Sequence, residues 1–304
     1  MDICKLGDIA KFTTGKLNSN AAQDNGKYPF FTCAPEALKI DDYAFDTEAI
    51  ILAGNNADGN FHIQHFKGKF NAYQRTYVIE SLDENKVDTK YLYYALKTCL
   101  LHFKQISQGS ATKFLTAKIL NSFELPIPEI EIQKKIAGTL GNLDKKIKTN
   151  EAINENLADQ AQAIYQQYFL IEADPNWPLG HLSDLIDVKY GKDHKKLADG
   201  VYPVYGSGGI MRYVERPLYE KESVLIPRKG TLNNVMYVNQ PFWSVDTMFY
   251  TEMKQANVAK FVYHFVKSKD LASMNAGSAV PSMTTAILNA LELRIPSAEA
   301  LLQF

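Results

Sequence analysis

Short apolar, β-branched and aromatic runs bounded by turn residues recur along the chain, at Ala49-Ile-Ile-Leu-Ala53, Arg75-Thr-Tyr-Val-Ile79, Ser223-Val-Leu-Ile226 and Thr247-Met-Phe-Tyr250. Such runs predict strands. Residues 88–104 and 258–269 show the wider spacing of helices, with Asp88 and Asn257 on the cap side of their starts. Leu125-Pro-Ile-Pro128 and Leu293-Arg-Ile-Pro296 then break the pattern, because a proline disfavours helix in the residue before it.

Between these stretches the pattern changes. From Glu129 to Leu170 there is no proline, and apolar residues recur at Ile136, Leu140, Leu143, Ile147, Leu157, Ala161, Ile164 and Tyr168, with Asn150 and Asn154 in the central places of the same seam. A spacing of about 3.5 residues predicts a coiled-coil helix, and polar residues in its seam weaken pairing while fixing register and partner number. At about 1.5 Å per residue the helix is roughly 60 Å long. That is the span of about 18 base pairs of duplex at 3.4 Å each. A rigid spacer of this length suits a bipartite linear target.

The segments on either side of the spacer repeat one another. Leu6, Asp8, Ile9, Gly15 and Lys16 align with Leu182, Asp184, Leu185, Gly191 and Lys192, and Gly26-Lys-Tyr-Pro-Phe30 aligns with Gly200-Val-Tyr-Pro-Val204. The order holds through Tyr91–Lys97 and Phe261–Lys267, Gly109-Ser-Ala111 and Gly277-Ser-Ala279, and Leu120–Pro128 and Leu288–Pro296. Five landmarks in one order identify a duplicated module. The predicted fold is α+β, with a domain at 1–130, a spacer helix at 131–171, a second domain at 178–297 and a stub of a second helix at 298–304. Glu299 matches Glu131 at the start of that stub.

Composition adds little direction. The 304 residues are 46% hydrophobic and 22% charged with a net charge of −1, which excludes disorder and fibre and offers no global electrostatic sign of a nucleic-acid partner. Cys4, Cys33 and Cys99, odd in number and widely spaced, fit structural thiols in a reducing compartment better than a disulfide framework. No signal peptide and no membrane-length apolar run are evident, so a soluble cytoplasmic protein is expected.

Catalytic motifs are missing from the sequence. The Gly-Lys pairs at 15, 26, 68 and 191 are followed by Leu, Tyr, Phe and Asp, where a phosphate-binding loop needs Ser or Thr. Gly206-Ser-Gly-Gly209 has Met211 where a dinucleotide loop needs its third glycine. Asp174-Pro-Asn-Trp177 has Asn in place of the second proline of an adenine-methylating loop, and reads as a linker turn. His62 and His65 lack further ligands nearby for a metal.

Side chains suited to reading DNA cluster in stretches read as loops: Lys67, Lys69, Asn71, Gln74 and Arg75 in the first copy, and Arg228, Lys229, Thr231, Asn233 and Asn234 in the second. Arg and Lys pair with guanine and Asn and Gln with adenine in the major groove, while lysines and hydroxyls hold phosphate. Ser110, Thr112 and Lys113, beside Gly109, are candidates for a phosphate contact, and Gly277-Ser278 recurs with Val280 and Pro281 after it. Each cluster also fits a solvated loop or a helix start.

The exit Pro126-Ile-Pro-Glu-Ile-Glu-Ile-Gln133, continuing through Ile136-Ala-Gly-Thr-Leu140 and Leu143-Asp144, resembles the conserved helix start of type I restriction-modification specificity subunits. Tyr202-Pro-Val-Tyr-Gly-Ser-Gly-Gly-Ile210, Val224–Thr231 and Phe242–Met248 are similar to one class of target-recognition domain in that family. The resemblance implies a non-catalytic subunit that binds double-stranded DNA, methyltransferase subunits and restriction-translocase subunits. S-adenosylmethionine, ATP and Mg would then sit on those partners, with no cofactor on this chain. The family pairs two long helices within one chain, so a shortened second helix implies self-association, a helix supplied by another chain, or an inactive truncated allele. A coiled-coil assembly scaffold and a self-sufficient methylase are the competing readings.

Overall fold

The computed structural model describes residues 2–274 and 282–304, and the chain divides into two units, Met1–Glu151 and Ala152–Phe304. Both are α+β. The first is built on a six-stranded sheet, in the order Ala10–Thr14, Thr76–Ser81, Phe45–Ala53, Ile63–Ala72, Tyr28–Phe31 and Leu38–Ile40. Neighbours are antiparallel except where Phe30 and Phe31 run parallel to Asn71 and Ala72.

The central strand Phe45–Ala53 is buried on both faces, which is why its end reads as a continuous apolar run. Ile50 and Leu52 join Leu92, Leu96 and Phe103 under the helices, while Ala49 and Ile51 join Phe31, Phe70 and Val78 on the other face. The predicted helix over 88–104 is two helices, Thr89–Thr98 and Leu100–Ile106, because Cys99 leaves the helical region (φ −92°, ψ 0°). Asp88 caps the first, accepting the Tyr91 N–H at 2.7 Å.

In the second unit the sheet is split in two. One part orders Ile186–Tyr190, Met248–Met253, Ser223–Pro227 and Met236–Val238, and the other Gly209–Val214, Asp199–Gly206 and Trp243–Ser244. The long strand Ile63–Ala72 of the first unit thus has a divided counterpart, with Pro241 at the break. Proline cannot donate to a strand ladder, so the interruption follows from its missing N–H. Asn257, expected on the cap side of the helix Ala259–Lys267, instead adopts a left-handed φ of 61°, and Val258 is the cap residue, with no side-chain capping bond.

Equivalent bonds show the duplication. Leu6 N–H donates to the Phe123 carbonyl at 2.7 Å, and Leu182 N–H to Leu291 at 2.8 Å. Leu115 N–H donates to Gly54, and Met283 N–H to Arg228, each at 2.9 Å. Thr116 and Thr284 cap matching short helices by accepting from Ile119 and Ile287. A Cβ at Gly15 would overlap the Ala72 carbonyl and one at Gly191 the Val245 carbonyl, so backbone approach accounts for both glycines of that landmark. Gly277-Ser278-Ala279, Val280 and Pro281 lie outside the described residues.

One helix of 37 residues, Ile130–Gln166, follows the first copy and widens into a π turn at Gln167–Ile171, closed by the Glu172 N–H on the Gln167 carbonyl. Its first turns dock on the first unit through Gln133 and Ala137, both buried, and through the Tyr94 hydroxyl, which donates to Asp144 Oδ2 at 2.8 Å. In the second unit its last turns bury Tyr165 and Phe169 against Phe261 and Phe304. His264 Nδ1 lies 2.8 Å from Gln162 Oε1, and burial, then the Lys267 charge, holds the His264 imidazole down to about 4, neutral at pH 7. No helix among the described residues is long and apolar enough to cross a membrane.

Candidate nucleic-acid interface

The candidate DNA-reading residues fall into three structural situations. Asn71 is a correction: it lies in a strand, is only 5% exposed, donates through Nδ2 to the Asp42 carbonyl and accepts the Ala72 N–H. A side chain so enclosed ties the end of its strand to the Asp42 backbone.

Lys67 and Lys69 are also in the strand Ile63–Ala72 rather than in a loop. Lys67 faces Glu48 across the ladder and pairs with it at 2.8 Å, beside His65 on the other carboxylate oxygen. Partial burial pushes the Glu48 carboxyl up, but the bonds from Lys67 and His65 outweigh it and leave the group below the usual carboxylate range. The Lys69 ammonium lies 4.6 Å from the Tyr43 ring centroid.

Gln74 and Arg75 form the exposed turn joining that strand to Thr76–Ser81. Gln74 Nε2 donates to Asn18 Oδ1 at 2.6 Å. The Arg75 guanidinium lies over the exposed Phe114 ring, 5.9 Å from its centroid. Phe114 and Lys113 belong to a short ribbon with Asn55 and Asn56, in which successive side chains take opposite faces. Gly59, at φ 71°, lies against the stems of Lys104 and Lys113, and Lys104 Nζ donates to Asn60 Oδ1 at 2.8 Å. Ser110 is exposed and Thr112 half-buried in the turn that Gly109 opens at φ 102°.

In the second unit Arg228 follows the strand Ser223–Pro227. Its Nη1 donates to the Asp246 carbonyl at 3.1 Å, and the guanidinium lies 5.5 Å from the centroid of the exposed Tyr190 ring. Lys229 and Thr231 are exposed beside Gly230, whose φ is 84°. Asn233 and Asn234 are occupied elsewhere. Asn233 donates to Asp270 and accepts from the Ala272 N–H, and Asn234 donates to the Ser207 carbonyl at 2.7 Å. The Asn233 bond, with others from Ser273 and Ala272, keeps the Asp270 carboxyl below its usual range. Lys104, Asn60, Phe114 and Tyr190 escape sequence reading because their neighbours come from distant segments. Among the described residues no group of three or more His, Cys, Asp or Glu side chains can hold a metal ion.

The family described as the type I restriction modification DNA specificity domain matches residues 1–159 and 175–303. The chain belongs to this family. Both copies of the module are covered, and so is most of the long helix. The chain is 38% identical over 153 residues to the EcoDI specificity subunit of Escherichia coli, covering 50% of this chain and 33% of that protein. It is 24% identical over 222 residues to the MjaVIII specificity subunit of Methanocaldococcus jannaschii, covering 64% and 51% of the two chains. The chain therefore spans a third to a half of the length of these family members. The S subunit of a type I restriction-modification system from M. genitalium shares the fold, with a TM-score of 0.73 at 19% identity, over 99% of this chain and 86% of that one.

Proposed function

We propose that this chain is the sequence-reading subunit of a type I restriction-modification complex. It recognises a split double-stranded DNA sequence, one half by each copy of the module, and directs adenine methylation or cleavage that partner subunits carry out. The observation that carries this reading is the family match across both copies, with an arginine, exposed at Arg75 and half-buried at Arg228, at the same sheet end of each. The chain supplies recognition and no catalytic step. Methyltransferase and restriction-translocase subunits bring S-adenosylmethionine, ATP and Mg, and the complex works in the cytoplasm beside its DNA. A net charge of −1 fits local rather than global attraction to phosphate, so weak binding by the isolated chain is expected. A gel-shift survey of random duplexes, with the methyltransferase present, should enrich one two-part sequence with steep salt dependence. Absence of any sequence preference sinks the proposal.

The helix seam is proposed as a docking stripe for another helix. Ile136, Leu140, Leu143, Ile147, Leu157 and Ile164 are all exposed, as are Asn150 and Asn154 in the same seam, while Gln133, Ala137, Tyr165 and Phe169, on the neighbouring flank near the two ends of the helix, are buried. So long an exposed apolar stripe is a mark of an interaction surface. Without partner subunits, a second copy of this chain occupies it. Sedimentation should show concentration-dependent dimers that Ile147→Glu and Leu157→Glu abolish together; a wild-type monomer at high concentration removes the idea.

A further inference from the structure

Arginines are scarce in this chain, five among 304 residues. Arg212 is tied to Asp199 at 2.7 Å and to the Leu197 carbonyl, and Arg294 donates to the carbonyls of Pro175 and Trp177. Among the described residues, the arginines that lie over aromatic rings are Arg75 and Arg228, one in each unit.

These two occupy neighbouring places in the shared fold, though the repeat does not align them. Gly54 N–H donates to the Arg75 carbonyl at 2.8 Å, and Arg228 N–H donates to the Thr247 carbonyl at 2.9 Å. Gly54 and Arg228 each accept from the matching residues Leu115 and Met283. Arg228 therefore stands where the first unit has Gly54, and Arg75 where the second has Thr247, across one pair of adjacent strands. The rings also come from unmatched places, Phe114 from the ribbon after the helices and Tyr190 from the end of the first sheet strand. Each copy thus arrives by its own route at one arginine over one exposed ring, at the same end of its sheet.

An exposed ring gains little from water, but it gives a guanidinium a flat support. A guanidinium held against a ring, rather than bonded along its whole edge, keeps N–H groups of its fixed fork available, the geometry that pairs bidentately with guanine O6 and N7. The bond from Arg228 to Asp246 uses one N–H and leaves others free to do this. We infer that Arg75 and Arg228 are the guanine-reading side chains of the two half-sites, each held in reading position by Phe114 or Tyr190. This rests on the DNA-recognition reading above.

The test is selection from a random-sequence duplex pool by the full chain with its methyltransferase, comparing wild type with Arg75→Ala, Arg75→Lys, Arg228→Ala, Arg228→Lys, Phe114→Leu and Tyr190→Leu. Wild type should enrich a two-part sequence with a guanine in each part. Each alanine variant should lose the preference at one guanine, in one half only, with affinity for the original sequence about tenfold to hundredfold lower. The Lys variants keep a charge that can still bond guanine but lose the planar fork, so they should lose less of the preference than the Ala variants, and the ring variants should weaken the same guanine by a smaller factor still. Unaltered circular dichroism and tryptophan fluorescence exclude misfolding as the cause. An unchanged sequence in the arginine variants overturns the inference while leaving DNA recognition intact. So does a uniform loss of affinity, a change in both halves, or loss at a base other than guanine. A wild-type pool with no enriched sequence overturns both.

Discussion

Tyr165→Ala is expected to destabilise the second unit by about 3–5 kcal/mol, the cost of emptying a large aromatic site in a packed core. Tyr165 is 1% exposed and its ring lies within 5.6–6.3 Å of those of Phe169, Phe261, His264 and Phe304. It fastens the last turns of the long helix to the helix Ala259–Lys267 and to Ala298–Gln303, so the cavity would open among three elements. Both tryptophans, Trp177 and Trp243, belong to this unit, and the Trp177 ring lies tilted 5.9 Å from that of Phe169. Urea unfolding followed by tryptophan fluorescence therefore reports the second unit alone. Tyr165→Phe, which keeps the ring, should lose much less. A loss below about 1 kcal/mol in the alanine variant would show that the helix end is not packed as described.

Gln133→Leu should destabilise the first unit by about 2–4 kcal/mol. The Gln133 side chain is fully buried and acts as a latch: Nε2 donates to the carbonyls of Lys86 at 2.8 Å and Pro128 at 2.7 Å, and Oε1 accepts the Asp88 N–H at 3.0 Å. Leucine has nearly the same volume and would leave all three backbone groups without their partner. Asp88 is also the cap of the helix Thr89–Thr98, so the latch joins the start of the long helix to the start of the helix it docks on. At the matching place the second unit has Leu301, also buried, so the repeat does not require glutamine for shape. The far-ultraviolet dichroism of Gln133→Leu should melt in an early phase that tryptophan fluorescence does not follow. Simultaneous loss of both signals, or no shift, would refute the latch.

Legibility in the sequence tracked how local the cause was. Ala49–Ala53 and Ser223–Ile226 read as strands because central strands are apolar on both faces. Gly15 and Gly191 stood out because a carbonyl sits where a Cβ would go. The break at Cys99 and the left-handed turn at Asn257 carry no such mark, since neither glycine nor proline is present. Asn71 looked like an adenine reader by residue type, yet its amide is bonded to the Asp42 carbonyl and the Ala72 N–H. Phe114 and Tyr190 carried no signal of their own in the sequence, and only long-range contact puts an arginine over each.

By itself the sequence determined the duplicated α+β module, the long helix with its 3.5-residue seam, and the family to which they belong. These are written in spacing along the chain, which is set by backbone periodicity. The tertiary structure decided which side of that helix is buried, which candidate readers are already bonded, and where the arginines find their rings. Those outcomes depend on residues tens of positions apart meeting in space. No periodic pattern encodes such meetings, because they are fixed only when the sheets and helices close over a common core.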